Sequence, residues 1–252
     1  MENTRNKIYF ASDIHLGSSV FEDSLTVEKR FVRWLDSIKH DAKEIYLVGD
    51  IFDFWFEYKC AVPLGFTRFL GKISELTDNG VGVHFFIGNH DIWIFDYLPT
   101  ETGVIVHKEP LITEMGGKKF FITHGDGLGD DSASFKLIRW MFHNRLCQLL
   151  FATIHPRWGI GLAHYWSSHS RQQGLKNVAG YREENQEHLV VFAKNYLKKD
   201  ASIHYFIFGH RHIMLDLMLS EKSRMLILGD WIRYYSFAVF DGKELYLKQW
   251  EE

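Results

Sequence analysis

Residues 45–53 read IYLVGDIFD. The run Ile45–Val48 has the length and the branched and aromatic residues of a buried strand, and Gly49 follows where the chain must turn. Asp50 therefore falls at the carboxyl end of a strand, the edge where open α/β sheets gather ligands. The same arrangement recurs outward in both directions. DIH at 13–15, GNHD at 88–91, HGD at 124–126 and GHRH at 209–212 follow the apolar runs Lys7–Phe10, His84–Ile87, Phe120–Thr123 and Tyr205–Phe208, and Met225–Leu228 gives a sixth strand-like run.

The spacing supports alternating strands and helices. Asp13 to Asp50 is 37 residues, Asp50 to Asn89 is 39, and Asn89 to His124 is 35, each interval long enough for a strand, a crossover helix and the return. Val27–Lys39 and Leu64–Thr77 carry apolar residues close to a 3.6 period, which predicts two crossover helices. Ser236–Lys248 reads as a hairpin turning at Asp241-Gly242. The expected fold class is α/β (α+β), two sheets flanked by helices.

Seven side chains in the five clusters suit a pair of divalent ions: Asp13, His15, Asp50, Asn89, His124, His210 and His212. Two ions about 3.5–4 Å apart need one anionic oxygen that bridges them, with imidazoles and further oxygens completing each shell. Asp50 is the expected bridge, Asp13 and His15 can reach one ion together, and His210 and His212 can serve one ion each. Taken singly, each cluster is an ordinary polar turn. Their joint occurrence at successive strand ends points to a two-metal hydrolase.

Composition fits a single-domain enzyme with an insertion. The chain has 252 residues, 46% hydrophobic and 24% charged, with net charge −3, which gives no reason to expect affinity for nucleic acid. Cys60 and Cys147 lack paired-motif spacing and read as free thiols of a reducing compartment. With neither a membrane-spanning apolar run nor a signal-like start, a cytoplasmic protein is expected.

The regular pitch breaks after His124, because His210 follows only 86 residues later. Residues 127–199 are therefore expected to form a helical cap insertion, leaving 1–126 and 200–252 as the core. The insertion is aromatic and basic: Trp140, Phe142, Leu146, Leu149, Phe151, Trp158 and Trp166 alternate with Arg139, Arg145, Arg157, Arg171 and Lys176. Such a stripe is either the insertion's own small core or a surface for an acylated, charged substrate at a membrane interface.

The complete set D-x-H, GD-x-x-D, GNHD, H and GH-x-H resembles the calcineurin-like metallophosphoesterase superfamily over nearly the whole chain. The resemblance implies a two-sheet sandwich core and two metal shells, Asp13, His15, Asp50 and His212 for one ion and Asp50, Asn89, His124 and His210 for the other. It implies that His90 faces the phosphate as a catalytic residue and that Asp53 orients it. Within the superfamily, HGDGLGDDSASFKLIRWMFHN at 124–144 is similar to the UDP-2,3-diacylglucosamine pyrophosphatases of lipid A synthesis. That similarity implies hydrolysis to UMP and 2,3-diacylglucosamine 1-phosphate, with manganese as the usual metal; the aromatic and basic insertion adds an expected peripheral contact with the cytoplasmic face of the inner membrane, and no protein partner is implied. The same similarity places Asn89, His90, Asp131, Phe135, Arg139, Arg171, Lys176 and His210 against the substrate.

Two positions depart from that group, His90 standing where its best-known members have Arg and Phe135 where they have Tyr. Iron, zinc or cobalt would also suit the oxygen and imidazole ligands. The sequence leaves open a phosphatase or phosphodiesterase acting on a water-soluble nucleotide or other phosphoester, and, less in keeping with a full ligand set, a non-catalytic metal-binding scaffold.

Overall fold

The computed structural model describes residues 5–18, 23–129, 133–162 and 187–251. Strands β1 (Lys7–Ala11), β2 (Ala42–Val48), β3 (Gly82–Phe86) and β4 (Ile105–His107) run parallel, and the hairpin β10 (Ser236–Phe240) and β11 (Leu245–Gln249) joins antiparallel to β1. The order of this sheet is β11-β10-β1-β2-β3-β4. A second sheet is built from β5 (Leu111–Met115), β6 (Lys118–Ile122), β7 (Tyr205–Phe208), β8 (Met214–Met218) and β9 (Arg224–Leu228) in the order β5-β6-β7-β9-β8, with β6, β7 and β9 parallel.

Period-two alternation makes this a four-layer structure. Tyr9, Ala11, Ile45 and Leu47 point to one side, where they pack with Phe31, Trp34, Phe69 and Ile73 of the crossover helices. Ile8, Phe10, Tyr46 and Val48 point to the other, where they meet Phe120, Ile122, Ile207 and Leu226 of the second sheet. The opposite face of the second sheet, with Phe121, Phe206 and Phe208, is covered by helix α7 (His188–Leu197) through Leu189, Val190 and Ala193. Since α7 packs as a flank of the core sheet, we propose that the insertion returns to the core at Glu187 rather than at Lys199.

Both expected crossover helices form, the first starting three residues earlier than expected and the second three residues later. Helix α1 (Ser24–Ile38) is capped by Asp23, whose side chain accepts from Thr26 N, and buries Val27, Phe31, Trp34, Leu35 and Ile38. Helix α2 starts at Thr67 and runs to Asp78, not from Leu64 as its apolar pattern suggests. Phe66 takes a left-handed φ of 60°, which no helix interior tolerates, and Leu64 is left 96% exposed. Phe66 offers no cap, so the buried Glu28 of α1 reaches across and accepts from the N–H groups of Arg68 and Phe69. A short helix α3 (Tyr97–Thr102) receives the same service from Glu57, whose carboxylate accepts from four successive amides, Phe95 to Leu98.

The described part of the insertion is helical, with α4 (Ala133–His143), α5 (Arg145–Ala152) and α6 (156–162). It sits on a seat of core aromatics: Phe54, Phe56 and Trp93 contact Phe142, Phe151 and Ile160, and Trp93 Nε1 donates to the Phe142 carbonyl at 2.8 Å. Phe54 directly follows the GDIFD cluster and Trp93 stands two residues after GNHD, so the seat is continuous with the loops that carry the candidate ligands.

Candidate metal centre

The carboxyl ends of β1, β2 and β3 in one sheet and β6 and β7 in the other deliver all five clusters to one edge of the sandwich. The turns that do so are strained. Asp13 (φ 55°), His15 (51°), Asp50 (53°), His210 (66°) and His212 (50°) all hold left-handed backbone, and the other non-glycine cases among the described residues are Phe66 and Tyr235. Such conformations persist only where the surroundings over-determine them, and they concentrate at functional sites. Gly88 is required for close approach, because a Cβ there would fall on the Asp50 carboxylate.

Among the described residues three groups of ligand atoms converge within 4.8 Å of one another: Asp13, His15 and His212 in one, Asp50, His124 and His210 in a second, and His15, Asp53 and His90 in a third that shares His15 with the first. Asp50 Oδ2 connects the first two, lying 3.3 Å from His124 Nε2 and 3.8 Å from His15 Nε2, while Oδ1 accepts from His90 N at 2.9 Å. His15 Nε2 and His212 Nε2 face each other at 3.3 Å, and Asn89 Oδ1 lies 3.0 Å from His210 Nδ1. His124 Nδ1 donates to the Val48 carbonyl at 2.8 Å, which fixes the tautomer and leaves the Nε2 lone pair for a ligand.

The donor set fits divalent cations. Asp13 Oδ1 and His124 Nε2 are among the buried polar atoms without a hydrogen-bond partner, a costly state that a bound cation would relieve at this site. Burial, with Asp50 adding to it, raises the Asp13 pKa against the pull of His212 and His124. Burial acts on Asp50 in the same sense, but His124, His90 and His15 outweigh it and hold Asp50 well below the usual carboxylate range. Burial, with His124 beside it, pushes His210 down to about 4, so its imidazole is a neutral donor at neutral pH.

The calcineurin-like phosphoesterase family profile matches residues 6–214. The chain belongs to this family. It is also 46% identical to a UDP-2,3-diacylglucosamine hydrolase of Porphyromonas gingivalis, covering 98% of this chain and 99% of that one. A UDP-2,3-diacylglucosamine hydrolase of Yersinia enterocolitica is 26% identical over 88% of this chain and 90% of its own. A solved phosphoesterase structure from E. coli covers 95% of this chain and 90% of its own at 13% identity, with a TM-score of 0.45.

In this metal-dependent phosphoesterase His90 and Asp53 sit beside the Asp13 group. His90 Nδ1 donates to the main-chain oxygen of Asp53 at 2.9 Å, and the Asp53 carboxylate stands 4.0 Å from the same nitrogen and 3.7 Å from His15 Nδ1. The ring is thus oriented through the Asp53 backbone as well as approached by its acid. Asp91, the last residue of GNHD, is fully buried and accepts from Gly88, Ile51 and Phe52 N–H, tying two ligand loops together. Burial and the neighbouring Asp50 charge push its pKa up to about 7.

Of the residues expected at the substrate, Asn89, His90 and His210 are at the metal centre. Arg139 of α4 reaches its edge, donating to the Asp126 carbonyl at 2.8 Å. Asp131, Arg171 and Lys176 lie outside the described residues, and Phe135 is described only as part of α4. Sequence reasoning missed Asp230, which follows β9, is buried, and places Oδ2 3.3 Å from His212 Nδ1. Its signal was present in LILGD at 226–230, an apolar run closed by Gly-Asp like LVGD at 47–50.

Proposed function

We propose that this phosphoesterase hydrolyses the pyrophosphate of UDP-2,3-diacylglucosamine, giving UMP and 2,3-diacylglucosamine 1-phosphate. In this reading Asp13, His15, Asp50 and His212 hold one divalent ion and Asp50, Asn89, His124 and His210 the other, with manganese the expected metal. When bound, the ions supply positive charge to the phosphoryl oxygens and favour deprotonation of the attacking water near neutral pH. The water oxygen forms a bond to one phosphorus while the bridging oxygen leaves with the other.

The chain's own groups position and neutralise. Asp91 and Gly88 hold the Asp50 and Asn89 loops at contact distance, and Val48 fixes the His124 tautomer. With Nδ1 of His90 committed to the Asp53 carbonyl, Nε2 is the ring atom left to face a phosphoryl or leaving oxygen.

The observation that supports an acylated substrate is the division of the insertion's apolar side chains. Phe142, Phe151 and Ile160 pack on the core seat, but Trp140 is 59% exposed, Leu146 65% and Trp158 74%, interleaved with Arg139, Arg145 and Arg157. Among the described residues, packing on the core therefore accounts for part of the stripe only. An exposed apolar and basic surface suits acyl chains and an anionic membrane interface, consistent with peripheral attachment on the cytoplasmic face of the inner membrane. Among the described residues no helix is long and apolar enough to cross a membrane.

Incubating the Mn2+-loaded chain with UDP-2,3-diacylglucosamine tests the reading, which expects UMP and the acylated sugar phosphate in equal amounts. No UMP, together with brisk hydrolysis of bis(p-nitrophenyl) phosphate, would instead assign a water-soluble phosphoester.

A further inference from the structure

We infer that Glu187 and Arg211 form a positioning pair that ties the neck of the insertion to the loop holding His210 and His212. The inference rests on the two-metal reading of the site.

Arg211 lies between the two histidines, one in each of the two ligand groups that Asp50 connects. Its Nε and Nη2 donate to the two carboxylate oxygens of Glu187 at 2.7 and 3.0 Å, a bidentate fork. Glu187 is fully buried, and although it stands at the N-terminus of α7, its side chain does not cap that helix. The carboxylate is turned away from a ready use and spent on Arg211. Removing either partner leaves the other without its match, and lysine cannot reproduce the planar fork.

The place of the pair gives it consequence. Glu187 is where the insertion returns, and the neck closes beside it, His188 Nδ1 donating to the Gly129 carbonyl at 3.2 Å. On the other side, the 209–212 loop is fixed by Gly209 N to the His124 carbonyl, His210 N to Asp13 Oδ2, and Arg233 Nη2 to the His212 carbonyl. Those three anchors all come from the core. Arg211 is the anchor that faces the insertion, and both histidines flanking it hold left-handed backbone that relaxes if the anchor is lost.

The test uses the purified full chain, stripped with EDTA and titrated with Mn2+ alone, for the parent, Glu187→Gln, Arg211→Lys, Arg211→Met and the Glu187→Gln/Arg211→Met pair. Thermal unfolding of each metal-free chain is recorded in parallel. Outer groups that orient ligands typically carry roughly 10–100-fold in metal affinity, so Arg211→Lys and Glu187→Gln should weaken Mn2+ binding by that order. The double variant should lose no more than Arg211→Met alone, because one interaction is removed in each case. Mn2+ affinity within about twofold of the parent for both conservative variants, whatever the shift in unfolding temperature, would reduce the pair to a structural role and overturn the inference; so would losses that multiply in the double variant. A parent chain that binds no Mn2+ would overturn the metal centre and this inference together, whereas tight Mn2+ binding without UMP formation would overturn the substrate alone.

Discussion

Asp230 is the residue whose role is easiest to isolate, because its Oδ2 faces His212 Nδ1 while His212 Nε2 lies 3.4 Å from Asp13 Oδ1. A carboxylate behind a ligating imidazole sets its tautomer and raises its basicity. Asp230→Asn should keep the fold and weaken Mn2+ binding roughly 10–100-fold, read by chelator competition, and an unchanged affinity would remove Asp230 from the site. His90 is predicted to act differently. His90→Ala should retain both ions and lower kcat by roughly 10²–10⁴, since a proton donor rather than a ligand is lost. An enzyme with both ions and full kcat would exclude it.

At this scale the candidate ligands were legible because chemistry restricts the residue types and strand ends restrict their places. Asp230 escaped because it lies in a Gly-Asp-Trp without a partner histidine of its own, and its imidazole partner is 18 residues away in sequence. The part played by the Asp53 backbone was equally hidden, since sequence carries no sign of which oxygen meets a ring.

The elements show what periodicity can and cannot resolve. Long, strongly patterned pieces such as α1, β2 and the β10–β11 hairpin stand close to where the apolar runs put them. β4 has three residues, β5 and β8 are edge strands, and α3 spans six residues, all too short or too mixed in pattern to announce themselves. The start of α2 was hidden by a left-handed residue and by a cap supplied from α1. That cap gives a direct prediction. Glu28→Ala leaves two N–H groups at the head of α2 without their acceptor and should lower stability by about 0.5–2 kcal/mol in urea unfolding. A midpoint equal to the parent's would mean that solvent replaces the cap at no loss.

Across the whole molecule, the loops that bear the candidate ligands also carry the seat of the proposed insertion, so the two share one support. Trp93 joins them, with its ring against Phe142 and Phe151 and its Nε1 on the Phe142 carbonyl. Trp93→Ala is predicted to loosen the insertion without removing a ligand, raising KM for UDP-2,3-diacylglucosamine while leaving hydrolysis of bis(p-nitrophenyl) phosphate near the parent rate. Equal losses on both substrates would place Trp93 in the general scaffold instead. The broken pitch after His124 is the sequence feature that motivates the proposed insertion. The division of its apolar residues between seat and surface was not legible, since one helical stripe has the same period whichever neighbour it meets.

The central claim is a pair of ions joined by Asp50, and anomalous diffraction from a Mn2+-soaked crystal at the manganese edge tests it most directly. Two peaks about 3.5–4 Å apart on either side of Asp50 Oδ2, one among Asp13, His15 and His212 and the other among Asn89, His124 and His210, are the predicted result. A single peak, or two that do not share Asp50, would contradict it.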